Sequence, residues 1–366
     1  MPFVTRIQSR RFFFFIVVIA LVGFLIFSSA SLGLLSGGGA NYNRVVWNQF
    51  LTLLVGLAVF LVFGRLPYQY WKKISLWLFI LSLLLTVLVF VPGVGFSAGG
   101  AHRWISFGSR TFQPSEFLKL GFVIYLAAWL AKIRERVTTW RSGFLPFSLF
   151  VGLAGLVLIA QPDIGTFLVL FTAATAMFFA AGTRWRQILT LGLIACLGFL
   201  LILAVRPYAR ERVLTFFHPN EKTDSSAWQI NQSLIAIGSG GLTGRGFGQS
   251  LQKFNYLPEP IGDSIFAVAG EEFGLLGGMA LILVFTLFVI WGLRIASRAP
   301  DRFGRLLVVG LIILMSTGAF INVASMLGLF PLTGIPLLFV SHGGSALLLS
   351  MIGCGIILNV ARSART

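Results

Sequence analysis

Acidic residues are scarce in this chain, which has 11 Asp and Glu against 28 Lys and Arg in 366 residues. Charged residues of all kinds make up 11% of the sequence, whereas a soluble domain carries about 25%. The length would suffice for two soluble domains, but so little charge cannot solvate the surface of even one. This scarcity excludes an ordinary soluble enzyme and indicates a protein that lies in a membrane.

Cysteine is also rare, with only Cys196 and Cys354 in the whole sequence. Both lie within apolar runs. We therefore expect no disulfide framework, and the cysteines carry no information about the redox compartment.

Apolar residues, by contrast, make up 57% of the chain. Runs of about 20 apolar residues are long enough to span a bilayer. The sequence has ten such runs, at 12–34, 47–64, 74–92, 114–131, 145–161, 164–182, 187–205, 264–293, 305–329 and 340–360. The first run is longer than the apolar core of a signal peptide, so we expect a retained helix. We predict an all-α integral membrane protein with ten transmembrane helices in a single polytopic domain, residues 1–366.

The distribution of basic residues predicts the orientation, because Lys and Arg concentrate on the cytoplasmic side. With the N-terminus inside, the inner segments carry 18 basic residues and the outer loops carry nine. This orientation places both termini in the cytoplasm and makes 206–262 a large extracytoplasmic loop between spans seven and eight. The net charge of +17 then reflects membrane topology and lipid contact rather than binding of nucleic acid.

The acidic residues show the opposite distribution. In this topology nine of the 11 lie in outer loops or at the outer ends of spans, and only Glu135 and Asp301 lie on the inner side. Asp263, Glu271 and Glu272 fall within ten positions at the head of the eighth span. Ionisable groups at membrane depth usually line a cavity or a pathway. The working face is therefore predicted to be the outer one.

Two short motifs each allow a structural and a functional interpretation. Pro114 is typical of a helix start, and Glu116 and Lys119 then lie on one face of that helix, where they can form an internal salt bridge or contact a substrate. In "AQPDIGTF", Asp163 either caps the sixth helix or belongs to a site.

The glycine-rich stretch "GSGGLTGRGFG" matches neither register of the nucleotide-binding loops, and no strand precedes it. We expect its glycines to serve tight turns and close packing instead. Nucleoside triphosphates are also absent outside a bacterial membrane, so a substrate there must carry its own leaving group. A lipid-linked diphosphate sugar meets this condition. It would need cations, for which Arg103, Lys119 and Lys253 are candidates, and a carboxylate to accept a proton.

Several motifs together resemble one family. "RWI…QPSEFLK", "QPDIGT", "QINQSLIAIGSGGLTGRGFG", "QKFNYLPE", "DSIFAVAGEEFGLLG" and "TGIPLLFVSHGGSALL" are similar to the signatures of the SEDS proteins (shape, elongation, division and sporulation), in the same order, from about residue 100 to 362. The stretches "LQKFNYLPE" and "GIILNVAR" resemble the division branch of the family more than the elongation branch.

The resemblance implies a peptidoglycan glycosyltransferase. Such an enzyme polymerises lipid II, an undecaprenyl-pyrophosphate-linked disaccharide-pentapeptide, on the outer face of the bacterial cytoplasmic membrane. It implies partnership with a class B penicillin-binding protein, a transpeptidase, and with other division or elongation proteins. The implied fold is a bundle of ten transmembrane helices around a cavity open to the outer leaflet.

The resemblance also assigns roles to residues. Asp263 would be the general base of an inverting transfer, and Arg103 and Lys119 would bind the pyrophosphate. The wider set of candidate substrate contacts comprises Arg103, Glu116, Lys119, Asp163, Gln232, Lys253, Glu259, Ser341 and His342. The resemblance leaves a divalent cation, Mg²⁺ or Mn²⁺, open as a cofactor. Taken alone, Asp263 would be interpreted as the N-cap of the eighth span, because Asp is a common cap.

The sequence departs from the family pattern close to these residues. "IGD", Ile261 to Asp263, stands where the family usually has "HTD". His342 and Ala346 replace a Tyr and a Ser, and His102 stands where an Arg is frequent. These departures weaken the assignments of the neighbours more than that of Asp263.

Glu271 and Glu272 point to different faces of the eighth span, since one residue corresponds to 100° of helix turn. We therefore expect them to have separate roles and to pair within the bundle. Three alternatives to a division-type polymerase remain: an elongation-type polymerase, a lipid II flippase and a scaffold for other division proteins. A scaffold needs no acidic cluster. A flippase needs access from both faces, whereas the inner loops are short and almost free of acids.

Overall fold

The computed structural model describes residues 2–37, 42–98, 101–107, 110–217 and 225–363. Within these residues the chain forms twelve α-helices and one small sheet. The helices are α1 (Pro2–Ser31), α2 (Tyr42–Phe63), α3 (Gln69–Val87), α4 (Pro114–Ile133), α5 (Leu145–Ala160), α6 (Ile164–Ala180), α7 (Trp185–Val205), α8 (Pro207–Phe217), α9 (Ser225–Ser239), α10 (Ile265–Ser297), α11 (Arg302–Met326) and α12 (Gly344–Ser363). The strands are β1 (Gly95–Ala98), β2 (Ala101–Phe107) and β3 (Arg110–Phe112).

Eight of the described helical segments are long and apolar enough to cross a membrane. They contain α1, α2, α3, α5, α7, α10, α11 and α12. The two remaining predicted spans correspond to α4, which carries Glu116, Lys119 and Lys132, and α6, which has only 17 residues. The all-α membrane class is confirmed, whereas the count of ten spans stays a prediction.

Helix α11 lies at the centre of the bundle, packed against α4, α6 and α10. In the most apolar window of α11, 78% of the residues are buried, compared with 6% in that of α7. The apolar side chains of α7 therefore face outwards, as suits a helix surrounded by lipid. Cys196 on α7 is exposed and Cys354 on α12 is buried, and both are free thiols, which confirms the absence of a disulfide framework.

The sheet between α3 and α4 was not predicted. Its strands pair antiparallel in the order β1-β2-β3 and carry Arg103 on β2. Strands of three to seven residues are too short to show a clear alternation of apolar and polar residues, so the sequence pattern did not reveal them.

The predicted eighth span is interrupted at Gly274, where the backbone has φ 64° and ψ −163°. The glycine-rich turn fills this break: the N–H groups of Arg245 and Gly246 donate to the carbonyls of Glu271 and Glu272, at 3.0 and 2.9 Å. A Cβ atom at Gly244 would collide with the Glu272 carbonyl, so the close approach requires glycine. The expectation that these glycines serve turns and close packing is confirmed.

The predicted loop 206–262 contains two helices. The stretch "NQSLIAIG" is part of α9, and α8 precedes it. The residues between α11 and α12 form an irregular entry to the last helix. Asn322 on α11 anchors both regions, because its Nδ2 donates to the carbonyls of Asp263 and Ile335, each at 2.8 Å.

Candidate active site

Asp263 lies at the end of a loop, directly before α10. The N-cap of α10 is Ser264, which makes no capping bond through its side chain, so the interpretation of Asp263 as a helix cap is wrong. Across the described part of the chain, no hydrogen bond or salt bridge reaches the Asp263 carboxylate. One carboxylate oxygen, Oδ2, lies 3.4 Å from the position that a Cβ atom would take at Gly334. This half-buried carboxylate therefore faces the irregular segment before α12, and among the described residues its oxygens are free to accept a proton or a hydrogen bond.

The surroundings of Asp263 alter its protonation. Burial raises its pKa from 3.8 to about 6, because a buried carboxylate loses the hydration of its charge. The charge of Glu259 also raises this pKa, whereas the charges of Arg212 and Arg103 lower it. A carboxylate with a pKa near 6 is mostly ionised at neutral pH and is a stronger base than an ordinary Asp, as general-base catalysis requires.

Arg103 is held at the turn between α5 and α6. Its Nε donates to the Gln161 carbonyl at 3.3 Å, and its Nη2 donates to the Pro162 carbonyl. Its Nη1 lies 3.8 Å from Oδ1 of Asp163. The same carboxylate oxygen accepts from the N–H of Thr166 at 3.3 Å and caps α6, so the N-cap interpretation of Asp163 is confirmed.

A second arginine, Arg212 on α8, was missed in the sequence. Its Nη1 donates to the Leu332 carbonyl at 2.6 Å, and its guanidinium lies 4.5 Å from the centre of the Tyr208 ring. Burial lowers the pKa of Arg212, and its charge interacts with those of Arg103, Asp163 and Asp263. The spacing of Tyr208 and Arg212, four residues apart in "YARER", was the only local signal for this pair.

Arg103 and Arg212 lie at one end of a large open cleft of about 1480 Å³. Most of its lining is apolar and comes from α5, α6 and α7, with residues 330–333 at the polar end. Along α5 the lining runs from Ser148 to Ile159, which is about 16 Å at 1.5 Å per residue. A long apolar cleft with two cations at one end suits an amphiphile with an anionic head.

The predicted pairing of Arg103 with Lys119 in one site is not what the structure shows. Lys119 lines a different cavity, together with Glu116, Ser341 and residues of α11 and α12. Its Nζ bonds to Oε1 of Glu116 at 2.8 Å, so its charge is compensated within α4, as the salt-bridge interpretation predicts. Residues 330–333 line the first cavity and 335–339 the second. Asp263 lines neither cavity, but its carboxylate lies close to the chain between them, at Gly334.

Lys253 is not placed to contact a substrate, contrary to the prediction. Its side chain is completely buried, and its Nζ bonds to Oε1 of Glu272 at 2.7 Å and to the Gly248 carbonyl at 2.9 Å. Ser29 of α1 also donates to the Glu272 carboxylate, at 2.6 and 2.7 Å. These contacts connect the loop before α10 to α10 and α1.

Glu271 has separate partners, as expected. Ser250 Oγ donates to its carboxylate at 2.6 Å, the N–H groups of Leu251 and Gln252 donate at 3.1 and 3.2 Å, and Arg245 lies at 3.4 Å. The two glutamates therefore pair within the protein but not with each other. They hold the loop to the broken helix instead of lining a cavity.

The Lys253–Glu272 pair predicts a test of this structural role. Lys253→Met would leave a buried carboxylate without its cation, and we expect it to reduce the free energy of unfolding by about 3–5 kcal/mol. The double variant Lys253→Met/Glu272→Leu removes both charges and should recover most of that loss. Thermal unfolding in detergent measures both. If Lys253→Met and the parent unfold at the same temperature, Lys253 does not neutralise a buried Glu272 carboxylate.

The remaining predicted contacts lie around the Asp263 loop. Ser341 is buried, and its Oγ donates to the Gly262 carbonyl at 2.7 Å and accepts from the N–H of Leu337 at 2.8 Å. The backbone N–H of His342 donates to the Ile261 carbonyl at 2.7 Å, and its ring stacks on Phe27 with centroids 5.9 Å apart. Both residues therefore position the loop that carries Asp263.

Two further candidates differ in exposure. Glu259 is exposed and lies beside the loop at Gly262, from where its charge acts on Asp263. Gln232 is buried on α9 and lines neither cavity. The position of Gln232 therefore favours a packing role.

The described residues contain no group of three His, Cys, Asp or Glu side chains that could hold a metal ion. Mg²⁺ is often bound by one or two carboxylates together with phosphate oxygens of the substrate. Asp263 and Glu259 could supply the protein's share of such a coordination, and a diphosphate would have to supply the rest.

Comparison with known proteins agrees with this architecture over nearly the whole chain. A model of the FtsW/RodA/SpoVE family, described as cell cycle proteins, matches residues 10–366. The chain belongs to this family. Among its relatives, the stage V sporulation protein E of Bacillus subtilis is 40% identical over 317 residues, which cover 87% of both proteins. A protein of Geobacter sp. (strain M18) named probable peptidoglycan glycosyltransferase FtsW is also 40% identical over 317 residues, covering 87% of this chain and 86% of its own.

Solved structures of the family have the same fold. One chain of a peptidoglycan synthase complex, described as coordinating polymerization and crosslinking, superposes with a TM-score of 0.75 at 28% identity, covering 93% of this chain and 96% of its own. The rod shape determining protein RodA of Thermus thermophilus superposes with a TM-score of 0.71 at 26% identity, covering 97% of both. The resemblance to the SEDS proteins is thereby confirmed.

Proposed function

We propose that this protein is an inverting glycosyltransferase that polymerises lipid II into glycan strands, in division-type synthesis of the cell wall. The observation that carries the proposal is the Asp263 carboxylate, which has a pKa of about 6 and no hydrogen-bond partner among the described residues, near two arginines at the head of an apolar cleft. The name of the Geobacter relative, probable peptidoglycan glycosyltransferase FtsW, supports the same activity.

The large cleft suits the donor substrate. Its apolar lining along α5, α6 and α7 can accept part of a polyprenyl chain, which would otherwise lie in the bilayer. Arg103 and Arg212 can bind the pyrophosphate, since a guanidinium offers paired donors to phosphate oxygens. Both guanidinium groups are already held by backbone carbonyls, so little side-chain freedom is lost on binding.

The position of Asp263 between the two cavities suits the transfer itself. The 4-hydroxyl of the acceptor's N-acetylglucosamine attacks the anomeric carbon of the donor's N-acetylmuramic acid from the face opposite the leaving group. Asp263 accepts the hydroxyl proton while the new C–O bond forms and the bond to the pyrophosphate breaks. Undecaprenyl pyrophosphate leaves with the bonding electron pair, and Arg103 and Arg212 stabilise its added negative charge. The configuration at the anomeric carbon inverts.

We assign a class B penicillin-binding protein as the partner. The similarity to one chain of a synthase complex that coordinates polymerization and crosslinking supports this assignment. A transpeptidase would cross-link the glycan strands that this protein makes. A transpeptidase bound beside the polymerase would receive each new strand without its release from the complex.

A polymerisation assay tests the proposal against the flippase alternative. The purified protein, its transpeptidase partner and lipid II are combined in detergent, and the products are separated by size. Glycan strands exclude a pure flippase, because no bilayer is present to be crossed. A failure to make strands with any class B partner from the same cell would refute the polymerase.

The proposed orientation predicts which loops are accessible from outside. Glu135 and Glu211 are both exposed, and neither substitution removes a positive charge. In a background without Cys196 and Cys354, Glu211→Cys should react with an impermeant maleimide in cells with a permeabilised outer envelope, whereas Glu135→Cys should react only after lysis. The reverse pattern of labelling would show that the proposed orientation is wrong and that the two faces are exchanged.

A further inference from the structure

A basic cleft lies at the end of the bundle opposite Asp263, and the proposed reaction does not use it. It has a volume of about 660 Å³ and lies between α1, the turn after α2 and the end of α12. We refer to it as the α1–α12 cleft. Its lining includes three arginines and three apolar side chains, namely Arg10, Arg65, Arg362, Phe13, Phe14 and Leu61.

Two of these cations are already oriented. Nη1 of Arg362 donates to the Gly64 carbonyl at 2.9 Å, next to Arg65 in the chain. The guanidinium of Arg10 lies 5.7 Å from the centre of the Phe14 ring. The three arginines come from three separate elements of the chain, so the tertiary structure brings their charges together.

The residues that line this cleft include no carboxylate. Asp301, the acid beside the turn after α2, accepts from the Tyr68 hydroxyl at 3.1 Å and caps α11. The first acidic residue of the sequence is Glu116 and the last is Asp301, so α1, α2, α3 and α12 contain no carboxylate at all. Charges of the same sign repel one another, and the repulsion grows as they are moved out of bulk water. A bound anion would remove this repulsion.

A second basic cleft on the other side of α1 has the same character. It has a volume of about 410 Å³ and is lined by Arg11, Arg294 and Trp291, among others. Tryptophan is typical of the boundary between the bilayer and water. The glutamates of α10 are too far away to compensate these charges, since both precede the break at Gly274, and the 20 residues from Gly274 to Arg294 correspond to about 30 Å of helix.

We propose that the α1–α12 cleft binds the phosphate headgroup of an anionic glycerophospholipid. Basic pockets between transmembrane helices bind such headgroups elsewhere. The apolar part of the cleft favours a lipid over an acidic peptide, because Phe14 is 52% exposed and continues into Val18 and Leu21, which are 55% and 47% exposed along α1. Acyl chains can lie against this surface while the phosphate contacts the arginines. The bound lipid would connect α1, the turn after α2 and α12.

Native mass spectrometry of the full-length protein in detergent tests this inference. The protein is titrated with phosphatidylglycerol, with phosphatidylcholine, with soluble glycerol 3-phosphate and with an acidic peptide, oligoglutamate. We expect phosphatidylglycerol to bind and phosphatidylcholine to bind much more weakly. The double variant Arg10→Gln/Arg65→Gln should weaken phosphatidylglycerol binding about 25-fold, since each arginine near a phosphate contributes about a fivefold change in affinity. Arg362 is left unchanged because its bond to Gly64 contributes to the fold.

The matched control is Arg186→Gln/Arg298→Gln, which removes two exposed arginines that line neither cleft. It should bind phosphatidylglycerol like the parent. Equal loss in both double variants would show a nonspecific effect of net charge and overturn the proposal. Displacement of the lipid by glycerol 3-phosphate at equal concentration would indicate a site for free phosphate instead. An acidic peptide that binds where the lipid does not, and is lost in the Arg10→Gln/Arg65→Gln variant, would indicate a protein partner and also overturn it.

Discussion

Replacement of Asp263 by Asn is expected to reduce glycan synthesis by about 100- to 10,000-fold, the usual contribution of a general base. Asn retains the shape of the side chain but cannot accept the hydroxyl proton. The Asp263 carboxylate has no hydrogen bond to lose within the described structure, so the thermal stability of the variant should match that of the parent. Strand length and the initial rate of lipid II consumption measure the effect.

The control for this prediction is Asp301→Asn. Asp301 caps α11 by accepting from the N–H of Gly304 at 2.8 Å, and Asn caps helices about as well as Asp, so this change should leave the rate unaltered. In the parent, the rate should fall as the pH is lowered through about 6, because the base becomes protonated below its raised pKa. If Asp263→Asn makes glycan strands at the rate of the parent, Asp263 is not the catalytic base. An unchanged rate of the parent well below pH 6 would exclude the same assignment.

Replacement of Arg212 by Gln is expected to lower kcat/KM for lipid II by about 10- to 150-fold, which corresponds to a lost charge-assisted hydrogen bond of about 1.5–3 kcal/mol. The variant should also move the acid limb of the pH profile to higher pH, because the charge of Arg212 lowers the pKa of Asp263 in the parent. A merely structural arginine would change stability without shifting that limb. Steady-state kinetics across a pH series provide both measurements.

Arg210→Gln is the matched control for Arg212. It removes the same charge from the same helix, α8, but Arg210 is exposed and does not line the large cleft. We expect its kcat/KM and its pH profile to resemble those of the parent. Identical kinetics for Arg212→Gln and Arg210→Gln would remove Arg212 from the pyrophosphate site, and the second cation would then have to be sought elsewhere.

The interpretation of the acidic cluster shows where local pattern succeeds. Asp263, Glu271 and Glu272 were recognised because they interrupt an apolar stretch, and helix geometry alone separated the two glutamates. The sequence did not predict which residues pair with the two glutamates. The cation that neutralises Glu272 is Lys253, which comes from a loop and was predicted to contact substrate. Burial is a property of the packed loop, and the composition around Lys253 does not reveal it.

The cations of the site show the same division. The family resemblance assigned Arg103 and Lys119, which are 16 positions apart in the chain, to a single pyrophosphate site. The structure instead places Arg103 with Arg212, whose guanidinium is held by Leu332, 120 residues away in the chain. Lys119 turns to Glu116 within its own helix, where a salt bridge requires no other element.

The sequence by itself determined the membrane class, the positions of most helices, the family resemblance and the candidate base, because apolar runs and ordered motifs are properties of contiguous stretches. Only the tertiary structure decided which charges meet. The break in α10 at Gly274, the buried Lys253–Glu272 pair, the arginines at the head of the cleft and the basic cleft beside α1 all join segments that are distant in the chain. Such contacts depend on how the helices pack, since the interactions of a charge are set by distance and burial rather than by its neighbours in sequence.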